Sequence, residues 1–323
     1  MRAISLVLSA ALVAACGTEG DSPLLTDDTR LALDAVLHSA VGDGALPGVV
    51  ALVVDGDGVL YRGAAGVMDA ERSESMEPDA IFQIFSMTKP ITSLGVMILQ
   101  EEGLLSIDDA ASDYLPELAD REVLLGINPD SSVQTRPASR PVTIKDLLRH
   151  TSGIGYTFSS PELLEVSGIT QMPARAYPLL HDPGERWTYG MSTAFLGWII
   201  EEVTGQSLPD FLESRILGPL GMDDTSFDLA PQDQSRLVAT YRRVDGVLEG
   251  QPRPEQYQPL IRGDGGLLST AADNGRFAQL ILGGGELEGV RVVSEASVAE
   301  MVRDQLEGVR VVEQPAAQPS TSM

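Results

Sequence analysis

The residues best suited to do chemistry in this sequence are a serine and a lysine three positions apart, Ser86 and Lys89. Apolar residues at helical spacing follow them, and Pro90 is compatible with the first turn of such a helix. Residues three apart share one helix face, so the lysine amine can reach the serine hydroxyl. The positive end of the helix dipole favours an anion at the serine. The spacing therefore predicts a nucleophilic serine with a lysine that helps to remove its proton.

The Ser-x-x-Lys spacing also occurs by chance, with a serine that caps a helix and a lysine on the surface. In this chain it lies in an apolar segment, where burying a lysine without a role would be costly. A tyrosine such as Tyr189 can act as a base only where a neighbouring cation, for example Lys89, favours its phenolate. Taken alone, Tyr189 is better explained as a buried aromatic ring whose hydroxyl makes one hydrogen bond.

Several predicted elements surround these residues. Thr26 is placed to cap an amphipathic helix that runs to Val41, and another helix covers residues 192–203. The sequence Asp-Gly-Asp-Gly at 55–58 separates two apolar runs and predicts a hairpin. A glycine-rich loop at 262–266 precedes a further helix over 269–282. Ser86 would therefore lie at a helix start that follows an apolar hairpin.

Composition argues against several classes of protein. The 323 residues include 47 acidic and 22 basic side chains, which gives a formal net charge of −25. Such a charge argues against nucleic acid as a partner and against electrostatic docking to anionic lipid. One cysteine excludes an intrachain disulfide framework, and the three histidines, His38, His150 and His181, lack metal-ligand spacing. We therefore predict no metal and no cofactor, and a turn or cap role for His150.

The first residues predict export. Residues 4–15 are apolar but too short to span a bilayer as a stable helix, and they end in Val-Ala-Ala before Cys16. This arrangement matches the lipobox of bacterial lipoproteins, in which the cysteine is acylated after cleavage. An ordinary signal peptide that contains a cysteine is the alternative. We predict a signal peptide at 1–15, a tether at 16–26, and a lipid on Cys16 that anchors the protein to a membrane of the bacterial cell envelope.

Motifs in a fixed order give the chain a family resemblance. They are the nucleophile segment at 84–90, Thr-Ile-Lys-Asp-Leu-Leu-Arg-His-Thr-Ser-Gly at 143–153, Pro-Gly-Glu-Arg-Trp-Thr-Tyr at 183–189, Pro-Leu-Gly-Met at 219–222 and Gly-Gly-Leu-Leu-Ser-Thr-Ala-Ala-Asp at 265–273. The likeness extends beyond these motifs and covers about residues 30–304. The chain resembles the serine β-lactamase and penicillin-binding-protein superfamily, in the class C-like branch that includes the family VIII esterases.

The resemblance implies a fold and roles for three residues. The implied fold is α+β, with an antiparallel sheet flanked by helices and a mostly helical second lobe at roughly 105–260, in a domain at 27–304. The active site is expected between the two parts. By this resemblance Ser86 is the acyl-accepting nucleophile and Lys89 helps to take its proton. Tyr189 would be the partner base that also protonates the leaving group.

Two departures from the family pattern affect the expected substrate. The related β-lactamases carry Tyr-x-Asn as their second motif, whereas this chain has Met191 at the third position. Methionine makes no strong hydrogen bond, so an amide contact to a β-lactam is lost, as it often is in esterase-like members. The family's third motif, Lys-Thr-Gly, His-x-Gly or Trp-Gly-Gly, is not found after Ser269. We therefore expect the strands at the C-terminal end of the fold to be missing, and we place Met191, Gly265 and Gly266 among the substrate-binding residues.

The last residues contain a repeat. Leu-Glu-Gly-Val-Arg-Val-Val occurs at 287–293 and again at 306–312. One hypothesis is that recombination, a frameshift or an assembly error replaced the authentic C-terminus, and the alternative is a second short strand of similar sequence. We expect residues 305–323 to form a disordered tail. A poorly soluble or inactive product is expected unless another chain completes the sheet.

These observations favour one function and leave two alternatives. We predict a serine hydrolase that acts through an acyl-enzyme on a small carboxylic ester. A β-lactamase or a D-amino-acid peptidase is the alternative of the same class. A catalytically inactive envelope lipoprotein that binds a ligand without turnover is the alternative of a different class. The expected partners are a small ester or β-lactam and, through the lipid on Cys16, a membrane.

Overall fold

A computed structural model describes residues 25–251, 254, 256–306 and 308–311 of the chain. The predicted signal peptide, Cys16 with most of the tether, and residues 312–323 lie outside the described residues. The α-helices are α1 Asp27–Gly42, α2 Thr88–Glu101, α3 Ile144–Leu148, α4 Pro161–Ile169, α5 Ser192–Thr204, α6 Leu208–Leu212, α7 Ala271–Leu282 and α8 Glu295–Val302. The strands are β1 Gly48–Val54, β2 Val59–Asp69, β3 Glu74–Ser75, β4 Phe82–Gln83, β5 Glu122–Ile127, β6 Val133–Pro137, β7 Arg186–Trp187, β8 Tyr241–Val244, β9 Val247–Gly250, β10 Leu268–Ser269, β11 Glu286–Leu287, β12 Val290–Arg291 and β13 Arg310–Val311.

β1 and β2 form the predicted hairpin, and β2 is the central strand of a three-stranded antiparallel sheet. Val49 pairs with Ala65, and Asp55 closes the turn by accepting hydrogen bonds from the backbone N–H groups of Asp57 and Gly58, each at 2.9 Å. β3 pairs with β2. In the part of the chain that the structure describes, β1 has no strand on its other side, so this edge of the sheet is open.

Helices cover both faces of this sheet. α1 lies on the face that carries Tyr61, whose hydroxyl donates to Asp34 Oδ1 at 2.7 Å. α7 lies on the opposite face, where Gly275 leaves room for Leu52, since a Cβ at this glycine would lie 2.4 Å from the leucine side chain. Thr26 caps α1 as predicted, but no residue of α1 is buried. α1 is therefore an outer layer, and α7 joins the sheet to the rest of the molecule.

The main core is built on α2, α5 and α6. Leu94 and Leu99 of α2, Phe195 of α5 and Phe211 of α6 are all fully buried in one cluster. Each such side chain contributes about 1.5–3 kcal/mol through burial. The helix predicted over residues 192–203 is α5, and its residues from Ser192 to Gly197 are all buried. α2 is thus anchored along its length, which holds its first turn in place.

The second lobe contains α3 to α6 and two antiparallel hairpins. The pairs β5–β6 and β8–β9 lie inside the region predicted to be mostly helical, and the sequence analysis did not identify them. β10 pairs with β4, which joins the segment before α2 to the segment before α7. The architecture is the predicted α+β fold. Over the described ranges, no helix is both long enough and apolar enough to cross a membrane.

The two copies of the repeat adopt different structures. In the first copy β11 pairs with β12, with Leu287 opposite Val290. In the second copy Val311 pairs in parallel with Trp187 of β7. Arg310–Val311 thus form a short strand at β7, whereas most of the tail predicted to be disordered, including residues 312–323, lies outside the described residues. Identical residues pair differently here because strand formation depends on the neighbouring strand more than on local preference.

Candidate active site

Ser86 lies on a short 3₁₀ turn, Phe85–Met87, that leads directly into α2. Phe85 has a φ of 43°, a left-handed conformation that strains a bulky residue and is typical of functional turns. In the first turn of a helix the backbone N–H groups have no helical acceptor, so the Ser86 N–H can stabilise an oxyanion. The turn thus presents an exposed hydroxyl at the positive end of α2.

Lys89 and Tyr189 meet at the Ser86 hydroxyl. Lys89 Nζ donates to Ser86 Oγ at 3.0 Å, and Tyr189 Oη donates to the same oxygen at 2.6 Å. Lys89 Nζ also lies 4.8 Å from the centroid of the Tyr189 ring. The structure therefore brings together the three residues proposed as catalytic, with two potential proton acceptors at hydrogen-bond distance from one hydroxyl.

Backbone contacts on both sides hold Tyr189 in position. The N–H of Thr188 donates to the carbonyl of His150 at 2.8 Å. Gly190 touches the backbone of Ile154 so closely that an added Cβ would lie 1.9 Å from the isoleucine carbonyl oxygen. A larger residue at Gly190 would push this segment away from the loop that follows α3. These contacts fix where the Tyr189 ring points.

A second layer of polar residues, which the sequence analysis did not identify, holds Lys89. The backbone oxygen of the buried Asp264 accepts a hydrogen bond from Lys89 Nζ at 2.7 Å. The Asp264 carboxylate accepts from Tyr156 Oη at 2.5 Å and from two nitrogens of Arg262 at 2.8 and 2.5 Å. Burial, and then the Asp264 charge, raise the pKa of Tyr156 far above its usual range, so this phenol stays a donor. The layer fixes the carbonyl that directs Lys89 toward Ser86.

We expect Asp264→Asn to lower kcat/KM for a reactive ester by about 10²-fold, because a small displacement of Lys89 from the hydroxyl is enough for such a loss. An amide has one acceptor oxygen where the carboxylate has two, so its NH₂ group would replace an acceptor for Arg262 or Tyr156, and the charge that pairs with Arg262 would be lost. Kinetics measured beside the thermal midpoint separate lost positioning from lost folding. Asp228→Asn, at an exposed acid, is the control. Equal activity in the two variants would contradict this role for Asp264.

His150 occupies the turn after α3, and its φ of 58° fits the predicted turn role. Its ring also packs against Tyr189, with centroids 4.9 Å apart, and its Nδ1 has no hydrogen-bond partner among the described residues. Burial, and after it the charge of Lys89, lower the pKa of His150 to about 4. The imidazole is therefore neutral near pH 7 and adds no positive charge beside Tyr189.

This shift predicts a pH-dependent stability. Unfolded histidine binds a proton near pH 6.5, whereas folded His150 binds one only near pH 4. Between these values the unfolded state holds more protons, so the free energy of unfolding falls as the pH falls, by about 3 kcal/mol in all. Urea titrations at about pH 7 and about pH 4.5 would measure the decrease in the free energy of unfolding. We expect this decrease to be smaller in His150→Asn, because asparagine tolerates the positive φ but binds no proton. The exposed His38→Asn should retain it, and an unchanged fall in His150→Asn would contradict the shift.

A buried carboxylate organises the loop that flanks Tyr189. Asp146 is fully buried and accepts hydrogen bonds from Arg140 at 2.5 and 3.1 Å and from Arg149 at 3.2 Å. Thr143 and Asp146 form a capping box at the start of α3. Burial alone would raise the pKa of Asp146, but hydrogen bonds to Arg140, Thr151 and Thr143 outweigh it and hold the pKa at about 2. Asp146 therefore stays ionised.

The three residues predicted to bind substrate have different positions. Met191 is 8% exposed and packs in the main core, which places its side chain there rather than on the open surface at the nucleophile. Gly266 has a φ of 112°, and an added Cβ would lie 1.8 Å from the Leu260 carbonyl oxygen, so only glycine fits. A Cβ at Gly265 would lie 3.7 Å from the Phe85 oxygen. Gly265 thus lies beside the nucleophile turn, and its contact with substrate stays a prediction.

The arrangement defines the chemistry that is available. A hydroxyl, an amine and a phenol converge, and the helix end next to them can stabilise a negative oxygen. Among the residues that the structure describes, no three His, Cys, Asp or Glu side chains are grouped to hold a metal ion. Nucleophilic attack on an acyl carbon, with proton transfer through the amine and the phenol, is the reaction that these groups support.

Comparison with known proteins defines the class. Residues 33–318 match the family described as beta-lactamase. The chain belongs to this family, within the superfamily of serine β-lactamases and penicillin-binding proteins. Members of the family include esterases and acyltransferases as well as β-lactamase-like enzymes.

Three similar proteins illustrate this range. Protein Rv1367c of Mycobacterium tuberculosis is 35% identical over 299 residues, which cover 84% of this chain and 71% of that protein. Lovastatin esterase of Penicillium rubens is 33% identical over 289 residues, which cover 76% of this chain and 72% of the esterase. A solved structure of a mutant simvastatin synthase (LovD) from Aspergillus terreus has a TM-score of 0.78 at 26% identity, covering 89% of this chain and 74% of that one. The family is thus one of serine hydrolases and esterases.

Proposed function

We propose that the protein is a serine hydrolase that cleaves small carboxylic esters through an acyl-enzyme on Ser86. The observation that carries the proposal is the convergence of Lys89 Nζ, at 3.0 Å, and Tyr189 Oη, at 2.6 Å, on one exposed hydroxyl. A nucleophile paired with a base at this distance is the arrangement that covalent acyl transfer requires. A relative named for ester cleavage, lovastatin esterase, supports the reaction class.

Acylation begins when Ser86 Oγ attacks the carbonyl carbon of the ester. The hydroxyl proton passes to the unprotonated member of the Lys89–Tyr189 pair, and the carbonyl oxygen takes up the negative charge. The Ser86 N–H and the positive end of α2 stabilise this oxyanion. When the bond from carbon to the alcohol oxygen breaks, Tyr189 protonates the leaving alcohol, and the acyl group remains on Ser86.

Deacylation repeats these steps with water. Water attacks the acyl carbon while the Lys89–Tyr189 pair accepts one of its protons, and a second oxyanion forms at the same place. The bond to Ser86 Oγ then breaks, and the serine regains its proton. The products are one alcohol and one carboxylic acid, and the free enzyme returns to its starting state.

The second motif favours an ester over a β-lactam. Asparagine in Tyr-x-Asn supplies an amide that can hydrogen-bond a β-lactam side chain, and this chain has Met191 at that position. The thioether is packed in the core and offers no comparable donor. An ester with a small or apolar acyl group does not need a hydrogen bond from that amide.

Parallel assays with p-nitrophenyl butyrate and nitrocefin test the proposal. We expect hydrolysis of the ester and little or none of the β-lactam. A fluorophosphonate probe is expected to add its phosphonyl group to the peptide that contains Ser86, which mass spectrometry of a digest would locate. Folded protein that takes up no probe and hydrolyses neither substrate would overturn the proposal and favour the inactive binding protein. Hydrolysis of nitrocefin alone would replace esterase by β-lactamase.

We also propose that the mature chain is attached to a membrane of the bacterial envelope by a lipid on Cys16. The support is the Val-Ala-Ala-Cys sequence and the absence of any other cysteine. Expression in a bacterium should place the protein in the membrane fraction, and Cys16→Ser should release it or leave the precursor uncleaved. If the wild type and Cys16→Ser carried the same amount of lipid label in the membrane fraction, the proposal would be contradicted.

A further inference from the structure

The second copy of the repeat lies beside the strand that leads into Tyr189. Residues 304–306 and 308–311 follow α8 and form the α8–β13 segment, which ends in β13. β13 pairs in parallel with β7, and Val311 is opposite Trp187 in this pair. Tyr189 follows Trp187 by two residues, so the pairing acts on the backbone immediately before the phenol.

β13 gives β7 its strand partner. In the part of the chain that the structure describes, no other strand pairs with β7. The contacts of Thr188 with His150 and of Gly190 with Ile154 hold the backbone that follows β7, but they do not hold β7 itself. A strand without a partner leaves its N–H and C=O groups unpaired and is free to shift. β13 therefore fixes the strand from which the Tyr189 segment extends.

Side chains carry this restraint from β7 to the nucleophile. Residues two apart in extended backbone point to the same side. Trp187 and Tyr189 do so, and their rings stack with centroids 6.0 Å apart and an angle of 25° between the planes. Tyr189 Oη in turn donates to Ser86 Oγ at 2.6 Å. A displacement of Trp187 would thus move the phenol away from the hydroxyl.

The α8–β13 segment is held at both of its ends. At its start, Gln305 Nε2 donates to the backbone oxygen of Glu300 in α8 at 2.6 Å. In its middle, Leu306 lines a cavity of about 510 Å³ together with Trp187 and Lys89. At its far end it pairs with β7. The segment therefore links α8 to the strand before Tyr189 and covers part of the space beside Trp187.

A glycine turn directs the segment from the cavity to β7. The N–H of Val309 donates to the carbonyl of Leu306 at 2.8 Å, and Gly308 in this turn has a φ of 73°. A Cβ at Gly308 would meet no atom within 4 Å, so only the backbone conformation requires glycine there. Gly289, the same residue of the first copy, has a φ of 82° and equally open surroundings. The two copies therefore offer a matched pair of positions.

We infer that the α8–β13 segment positions Tyr189, because it pairs with β7 and holds Trp187 against the phenol ring. The inference rests on the proposed function and extends it, since it gives the second copy of the repeat a part in catalysis although that copy supplies no reacting group. The first copy has the same sequence but forms the β11–β12 hairpin and has no such part.

The same substitution in each copy tests the inference. A β-branched residue is strained at a positive φ, so Gly308→Val should open the turn and release β13 from β7. We expect kcat for p-nitrophenyl butyrate to fall at least about 10-fold, with KM within about twofold of the wild type. Gly289→Val imposes the same strain on the first copy and should retain the wild-type kcat. Thermal midpoints of both variants show whether each is folded.

A double-mutant cycle shows whether the effect passes through Tyr189. Tyr189→Phe removes the hydroxyl that contacts Ser86. If the segment acts by placing this hydroxyl, Gly308→Val should change kcat by less than about twofold in the Tyr189→Phe protein. A general loss of structure would instead lower kcat in both backgrounds by the same factor, and that result would overturn the inference.

Tryptophan fluorescence measures the contact without any hydrolysis. The chain has two tryptophans, and Trp198 lies in α5, so a Trp198→Phe background reports on Trp187 alone. In this background, Gly308→Val should raise the acrylamide quenching constant of Trp187 at least about twofold, because release of the segment opens the indole to solvent. Gly289→Val should leave the quenching constant unchanged.

The outcomes separate this inference from the proposed function. Greater quenching in Gly308→Val alone, in protein that hydrolyses no ester, would overturn the hydrolase and support the restraint on β7. Ester hydrolysis that is equal in Gly308→Val and Gly289→Val would keep the hydrolase and overturn the positioning role. If Gly308→Val fails to fold, Arg310→Pro takes its place, because proline removes an N–H group of β13 at an exposed position.

Discussion

Ser86→Ala is expected to lower kcat for p-nitrophenyl butyrate by at least about 10⁴-fold, because no other group can form the acyl intermediate. Lys89→Met should come close to the same loss, since it removes the amine that lies 3.0 Å from the hydroxyl. The double variant should be no worse than Ser86→Ala alone, because residues that act as one unit do not lose activity additively. Steady-state assays at matched enzyme concentration would measure kcat for all three variants.

Matched substitutions outside the site control for these losses. Ser214→Ala removes an exposed hydroxyl, and Arg72→Met removes a positive charge from a side chain that is 58% exposed. Both should retain full activity. Activity in Ser86→Ala within about 10-fold of the wild type would show that the hydroxyl is not the nucleophile. A Lys89→Met variant with full activity would instead leave Tyr189 as the only base.

Asp146→Asn is expected to reduce the free energy of unfolding by about 2–3 kcal/mol. The substitution leaves Arg140 and Arg149 without the buried carboxylate that both contact, and it also breaks the capping box at the start of α3. The buried site loses hydrogen bonds to a charged group, while the two arginines left behind are 39% and 22% exposed, so water partly solvates them. Urea unfolding followed by circular dichroism would give the difference.

Asp130→Asn is the matched control, because Asp130 lies in the exposed turn between β5 and β6. Its loss of stability should stay below about 1 kcal/mol. The two substitutions remove the same charge, so only the surroundings distinguish them. Equal losses in the two variants would contradict a structural role for the Asp146 network.

The nucleophile could be predicted from the sequence because its geometry is local. Ser86 and Lys89 lie one helical turn apart, and helical spacing alone brings the amine to the hydroxyl. Tyr189 lies 103 residues further along the chain, and no periodicity connects it to Ser86. Its position followed from the order of the motifs, which the resemblance supplied. The apolar hairpin before the site could also be predicted, because the Asp-Gly-Asp-Gly sequence at 55–58 is typical of a tight hairpin turn.

The second layer around Lys89 could not be predicted in this way. Tyr156 and Asp264 are separated by 108 residues, and each lies outside regular secondary structure. Only packing of the two lobes brings their side chains together, and neither residue type has a distinctive spacing to Lys89. The hairpin β5–β6 was missed for a related reason, because its strands are short and β6 ends in Pro137, which suggests a loop.

The open edge of β1 has a consequence for how the protein behaves at different ionic strengths. In the described part of the chain, the seven residues of β1 leave one row of N–H and C=O groups unpaired, which is a template for another copy, but each copy carries 25 excess negative charges. At about 0.01 M salt these charges repel over about 30 Å, whereas at about 1 M salt the repulsion reaches only about 3 Å. High salt dissociates protein complexes that are held together by opposite charges, but it should promote self-association of this protein. Light scattering across a salt series would measure the change in particle size.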